Sequence, residues 1–214
     1  MSATRCAYPI VAFNLYSKNI CTRFCHTSLV VASNRYEEIH TQIIMIKFTK
    51  TKRVNASADK VWGIFAHGFN DAYKWMASVS HSYAQTNGES FDSAHSDGRV
   101  CELSPDKKGV KASEKFLAYN EDNKTATVQI DFVNTPFFFP VKFNILDFSL
   151  TEIGDDQSEM TWEFRSNIKP LGLLLWPLLR IGFGKFVGDI MEELQFYVEN
   201  GTPHPRKLKA MEKN

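Results

Sequence analysis

Between residues 79 and 168, six short runs rich in β-branched and aromatic side chains follow one another, separated by clusters of turn-forming residues. The runs span 79–84, 99–103, 110–119, 125–132, 141–153 and 159–168. The breaks carry the residues that turns require: Asn87-Gly88, Ser96-Asp97-Gly98, Asp106 to Gly109, Asn120 to Asn123, and Gly154-Asp155-Asp156. Strands this close together, joined by short turns, form an antiparallel meander. A further strand-like run at 46–54 precedes two short helical stretches at 58–66 and 69–76. Ser57 is placed to cap the first, and Gly68 breaks it.

The period then changes. Over 178–198 the apolar residues Leu179, Phe183, Phe186, Val187, Ile190, Met191, Leu194 and Val198 follow the i, i+3, i+4 spacing of one helix face, with Glu192, Glu193 and Glu199 off it. Gly182, Gly184 and Gly188 each cost a helix about 1 kcal/mol against Ala. Gly184 and Gly188 are four apart and share a face, which predicts a close approach of the helix backbone to another surface. Gly201-Thr202-Pro203 ends the helix, and the basic tail over 201–214 reads as solvated.

This order implies an α+β architecture. A curved antiparallel sheet of about seven strands has one face to cover, and the long C-terminal helix is the only element large enough to cover it. The two short helices plug one end. Such a wrap leaves space between sheet and helix, so an internal cavity is expected.

Strand alternation sorts the side chains that would face that cavity. On the last strand Met160, Trp162, Phe164 and Ser166 share the inner face. On the strand before it Leu146, Phe148 and Leu150 do, which brings Asn144 and Lys142 to the same side. Asn144 is then a polar group aimed into apolar space, and buried polar groups need a partner. Ala126, Val128, Ile130 and Phe132 form the next inner row. If Glu114 points inward, so do Ala112, Phe116 and Ala118, and a carboxylate in an apolar cavity gains a raised pKa suited to acid/base work. The alternative is a rim Glu paired to Lys115 or Lys142. His81 and Tyr83 share a face on the second strand. Asp92, His95 and Asp97 are metal-ligand types in a polar turn with no sheet to fix them, and read as loop residues.

Net charge is close to balance, with 25 Lys+Arg against 24 Asp+Glu. A general nucleic-acid binder would show a basic excess. The 17 Phe, 4 Trp and 7 Tyr are the compositional excess instead. Residues 1–44 differ from the rest, holding three of the four Cys and no acid before Glu37. They read as an unstructured or leader extension, or as sequence upstream of a start at Met45, with weak likeness to an organelle transit peptide. Cys21, Cys25 and His26 are at most half a metal site, so no metal is expected. Three consecutive Phe (Phe137, Phe138, Phe139) lie between Pro136 and Pro140, which a continuous paired strand would not accommodate. With the apolar stretch 171–179 they form a hydrophobic gate or membrane-touching patch, or pack on each other and close the pocket.

The whole order resembles the helix-grip fold of the START/Bet v 1-like (SRPBCC) superfamily, in its polyketide cyclase/dehydrase branch. The residues that carry the resemblance are Ala56 to Trp62 at the opening helix, Phe69 to Trp75 ending in Lys74-Trp75, and Gly98-Arg99-Val100. Ser113 to Tyr119, Pro140-Val141-Lys142 and Thr161-Trp162 complete the set. The resemblance covers about 46–200. It implies a domain over 45–200 whose pocket holds a small hydrophobic molecule such as a lipid or polyketide, with no cofactor. It is similar to lachrymatory factor synthase-like proteins, in which an Arg on the third strand works with a Glu on the fourth. The Glu maps to Glu114, while the Arg position maps to Cys101, with Arg99 and Glu102 nearby but differently placed. A thiol cannot supply a fixed cation, so binding is favoured over chemistry.

The expectations are therefore these. The ligand wall comprises Trp75, His81, Tyr83, Phe116, Val128, Ile130, Asn144, Trp162, Phe164, Phe183 and Val187. Glu114 is the acid/base if the protein is a cyclase, dehydratase or isomerase. Phe137, Phe138 and Phe139 form the gate or, as a second alternative, the contact loop of a membrane- or partner-binding module. The protein is cytoplasmic unless residues 1–44 direct organelle import. It is a monomer or weak dimer, with transient membrane contact as a further option and nucleic acid excluded.

Overall fold

The computed structural model describes residues 45–86, 88–106 and 108–213, and the expectations for the leader and for Cys21, Cys25 and His26 lie outside them. Seven strands pair antiparallel in one sheet: β1 (Met45–Val54), β2 (His81–Gln85), β3 (Gly98–Glu102), β4 (Lys111–Asn120), β5 (Thr125–Val133), β6 (Val141–Gly154) and β7 (Gln157–Ile168). Their order is β1-β7-β6-β5-β4-β3-β2. The six later strands run as the expected meander, and β1 closes the far edge against β7. Between β1 and β2 lie α1 (Ala58–Trp62), a π turn (Gly63–His67) and a 3-10 helix (Phe69–Lys74). After β7 come α2 (Pro170–Leu174), the long α3 (Trp176–Asn200) and α4 (Pro205–Met211). Among the described residues no helix is long and apolar enough to cross a membrane.

Ser57 caps α1 as its position predicts, its Oγ accepting from the Lys60 amide at 3.3 Å. The turn carries Val61, Trp62 and Phe65 into the core, where Phe65 stacks on Phe148 with ring centroids 3.7 Å apart. Gly184 and Gly188 face β1. A Cβ on Gly184 would stand 3.3 Å from the Phe48 ring, and one on Gly188 would meet the Lys50 ammonium. Lys50 uses the gap to donate to the Gly184 carbonyl at 3.2 Å. The helix ends at Gly201, whose φ of +70° suits only a residue without Cβ strain, and whose amide returns to the Tyr197 carbonyl.

Three expectations of the alternation rule are corrected here. A bulge between Phe116 and Ala118 flips the end of β4, so Ala118 is exposed and Tyr119 packs inward on Trp62 and Phe116. A second irregularity between Val141 and Phe143 turns Lys142 out to solvent. On β2 the inward residue is Ser82, opposite Cys101, so His81 and Tyr83 face outward.

The basic tail is exposed over most of its length, but Arg206 and Lys207 are docked rather than solvated. α4 docks against α3, with Arg206 donating to Glu193 at 2.8 Å, Glu192 at 2.9 Å and the Asp189 carbonyl at 3.0 Å. Lys207 is buried and donates to the Val79 carbonyl at 2.7 Å. Glu193, expected off the buried face, is buried because its other oxygen accepts from the Ala77 amide at 2.9 Å. Together these contacts lock residues 77–79 to the end of α3.

The closed end of the fold is organised on Glu121, just after β4. It accepts from Trp62 Nε1 at 2.8 Å, Tyr119 at 3.0 Å and Lys124 at 3.2 Å, and His67 Nε2 lies 3.0 Å away. Burial alone would raise its pKa, but these hydrogen bonds outweigh burial and bring it down to about 2. A carboxyl depressed in the folded state contributes stability above its unfolded pKa and loses it as pH falls through the folded value. Denaturant titrations should therefore show a component of stability lost between pH about 4.5 and about 2. Glu121→Gln should be less stable at pH 7 and should show a flatter acid limb. An acid limb identical to wild type would refute the assignment.

Candidate functional site

A cavity of about 480 Å³ lies between the inner face of the sheet and α3. Its walls are predominantly apolar, from Ile130, Phe132, Leu146, Trp162, Phe164 and Phe183 among others. The volume falls within the range of small-molecule pockets. Phe139 and Pro140 of the loop before β6, together with Trp176, Leu178 and Leu179, form one side of the mouth. Leu178 lines the cavity and is 73% exposed, so the wall runs out to the surface there.

Set into this apolar wall is a buried ion pair. Arg99 and Glu114 are direct cross-strand partners on β3 and β4. Arg99 Nε donates to Glu114 Oε2 at 2.9 Å and its terminal nitrogen lies 2.8 Å from the same oxygen. The other terminal nitrogen donates to the Phe69 carbonyl at 2.6 Å, and the guanidinium carbon stands 4.0 Å from the Phe69 ring centre. Burial disfavours the Arg99 cation, but the charge and hydrogen bond of the Glu114 carboxylate act against it, and its pKa lies above the usual value. The expectation that Arg99 is differently placed, leaving only the Cys101 thiol to face Glu114, is thus corrected. Arg99 and Cys101 are two apart and both point inward, but the register puts Arg99 opposite Glu114 and Cys101 opposite Ala112. Glu114 is likewise neither a lone carboxylate nor a rim residue paired to Lys115 or Lys142. Burial drives the Cys101 thiol far above its ordinary pKa, against the lowering effect of Arg99, so no thiolate nucleophile is offered.

Other polar atoms also reach the cavity. Asn144 Oδ1, Trp162 Nε1 and Ser78 Oγ are buried and have no hydrogen-bond partner among the described residues. Ser166, the cross-strand neighbour of Asn144, lines the same space.

The structure sorts the expected wall residues into three groups. Ile130, Asn144, Trp162, Phe164 and Phe183 line the cavity, as do Glu114 and Phe139. Trp75, Phe116, Val128 and Val187 are buried elsewhere in the core: Phe116, for example, packs on Phe69 at 4.5 Å between ring centres. His81 and Tyr83 lie on the outer face. Asp92, His95 and Asp97 stay between β2 and β3, where His95 stacks on His67 with ring centroids 4.7 Å apart. Among the wall residues passed over were Arg99, Ser78, Phe132, Ser166 and Trp176. Ser166 and Phe132 had already been assigned to inner faces by alternation. Arg99 required the β3–β4 register, which the irregular loop between them does not reveal.

A family model described as polyketide cyclase/dehydrase and lipid transport matches residues 45–199. A comparison with curated protein sequences finds no match. Among solved structures the fold is similar to a START superfamily protein from Mycobacterium smegmatis, with a TM-score of 0.57 and 14% identity over 73% of this chain and 99% of that one. It is also similar to truncated norcoclaurine synthase from Thalictrum flavum, with a TM-score of 0.53 and 14% identity over 73% and 95%. Ara h 8.0201 superposes with a TM-score of 0.56 at 13% identity over 72% and 98%. At these identities the likeness is one of fold.

Removing one partner of a buried ion pair strands the other, at a cost of about 3–5 kcal/mol. Arg99→Met and Glu114→Gln should each lower stability substantially in denaturant titration. The double variant Arg99→Met with Glu114→Leu should recover most of that loss. Additive losses in the double variant would show that the two groups do not act as a pair.

Proposed function

The chain belongs to the polyketide cyclase/dehydrase and lipid transport family, and on that premise we propose that it binds a small hydrophobic molecule in the cavity and carries it between membrane surfaces or partners. The observation that carries this reading is the cavity itself. Keeping about 480 Å³ of apolar-lined space open to water forgoes the stabilisation that burying those walls would bring, in proportion to the apolar area left uncovered. A domain that retains such a space is built to have it filled. Its apolar lining favours a greasy occupant over water.

The mouth supports uptake from a membrane. Phe137 is 93% exposed and Phe138 61%, and Leu174, Leu178 and Ile181 of α2 and α3 are also exposed. The loop and α2 are joined by the Lys169 amide donating to the Pro140 carbonyl at 2.8 Å. Phe139 alone of the three Phe turns inward to the cavity, so the gate consists of one lining ring and two protruding ones.

A second reading, a cyclase, dehydratase or isomerase, is favoured by the Arg99–Glu114 pair. Glu114 would take or give a proton on the ligand, and Arg99 would stabilise negative charge developing on a ligand oxygen in a water-poor site. The pair supplies the cation whose apparent lack told against chemistry.

Native mass spectrometry of protein purified from its own host should find a retained apolar molecule, and an empty cavity would overturn both readings. Phe138→Ser should reduce co-sedimentation with lipid vesicles and slow transfer of the retained molecule without changing thermal stability. If binding to vesicles is unchanged, the mouth does not contact membranes. If the retained molecule is turned over, Glu114→Gln should slow the reaction by about 10²-fold or more, and unchanged turnover would leave the protein a carrier.

A further inference from the structure

The strand register carries one row of side chains straight across the cavity wall. Arg99 pairs with Glu114, Glu114 with Ile130, Ile130 with Asn144, and Asn144 with Ser166. All five line the cavity. Neighbouring strands lie about 4.8 Å apart, so Asn144 stands two strands and roughly 10 Å from Glu114. Ile130 interrupts the row and divides it into two polar places.

At the first, both contacts from Arg99 fall on Glu114 Oε2, so Oε1 receives no donor from the guanidinium, and only the weak donor Cys101 stands beside the carboxylate. At the second, Asn144 is 4% exposed, and its Oδ1 has no partner among the described residues. Both free atoms are acceptors. A buried amide oxygen without a donor is costly, and Leu is used at the next inward position of the same strand, Leu146. An apolar molecule with a single polar end satisfies one place and strands the other.

We propose that Asn144 and Ser166 form a second polar subsite, and that the ligand is an apolar molecule carrying two hydroxyl groups roughly 10 Å apart. One hydroxyl donates to Glu114 Oε1 and the other to Asn144 Oδ1. A carbonyl would set acceptor against acceptor at Glu114 and, though it could accept from the Asn144 amide nitrogen, would leave Asn144 Oδ1 without a donor. An ammonium would add an unbalanced charge beside an ion pair that is already neutral. A hydroxyl donates to the amide oxygen and can still accept from the Ser166 hydroxyl. The inference rests on the ligand-binding reading and adds to it the polarity and spacing of the ligand.

The test is isothermal titration calorimetry with two probes. One is a straight-chain α,ω-diol whose extended oxygens lie roughly 10 Å apart, and the other is the monoalcohol of equal chain length. Wild type should bind the diol about tenfold more tightly than the monoalcohol. Asn144→Leu should bind the two alike, and Ser166→Ala should narrow the preference by a smaller factor. Equal affinities in wild type would overturn the second subsite while leaving ligand binding intact, and this comparison needs no variant. An unchanged preference in Asn144→Leu would also overturn it. Failure of both probes to bind would bring down the ligand-binding reading itself.

Discussion

The structure turns on how one helix covers one sheet. α3 approaches β1 closely because Gly184 and Gly188 present no side chains there. Its later residues Val187, Met191 and Leu194 are fully buried in the core. The sheet is wider than a single helix, so a helix seated against β1 cannot also fill the space over β4, β5 and β6. The cavity is what remains. Its position follows from where the glycines let the backbone approach.

The two ends of that space are built differently. At the closed end, Trp62, Phe65, Phe69 and Phe148 pack into an aromatic cluster, and Glu121 gathers four side chains around one carboxylate. Apart from that cluster, α4 ties residues 77–79 to α3 through Arg206, Lys207 and Glu193. At the mouth the residues are apolar and exposed, and few polar contacts hold them. Parts of a protein with few buried contacts and exposed backbone open most readily. Entry through the Phe137–Phe138 side therefore disturbs little, whereas entry past Glu121 would break a charged hydrogen-bonded cluster.

Much of the fold was legible because its signals are local. Turn residues marked the meander, the change of period marked α3, and glycine spacing marked its close face. The site was legible only where strands run without interruption. Trp162, Phe164 and Ser166 on β7 kept their alternation, and so did Ile130 and Phe132 on β5. Alternation failed wherever the backbone gains or loses a residue, as at Ala118 and Lys142, since a shift of one residue exchanges the two faces. It also cannot separate a side chain that lines a space from one that is merely buried, which is why Phe116, Val128 and Val187 were grouped with the wall. The pairing of Arg99 with Glu114 is a register between strands, and the irregular stretch joining β3 to β4 does not encode it in any local pattern. The α4 latch was missed for another reason: a charged segment is ordinarily solvated, and only the carboxylates of a different helix make Arg206 a docking residue.

That same register sets the chemistry available to the site. With only the Cys101 thiol beside it on β3, Glu114 would stand alone in an apolar wall, where burial favours the neutral acid. Opposite Arg99 the carboxylate has a fixed counter-charge on one oxygen and a second oxygen that the guanidinium does not engage. A group held in this way can orient a ligand hydroxyl by accepting its proton in a hydrogen bond, and the adjacent guanidinium can bear charge that develops on the ligand. Binding and catalysis then differ in what the ligand offers, not in how the wall is built. A saturated diol gives Glu114 a hydrogen bond and nothing to transfer. A ligand with an acidic carbon beside an oxygen gives the same pair a proton to move and a charge to stabilise.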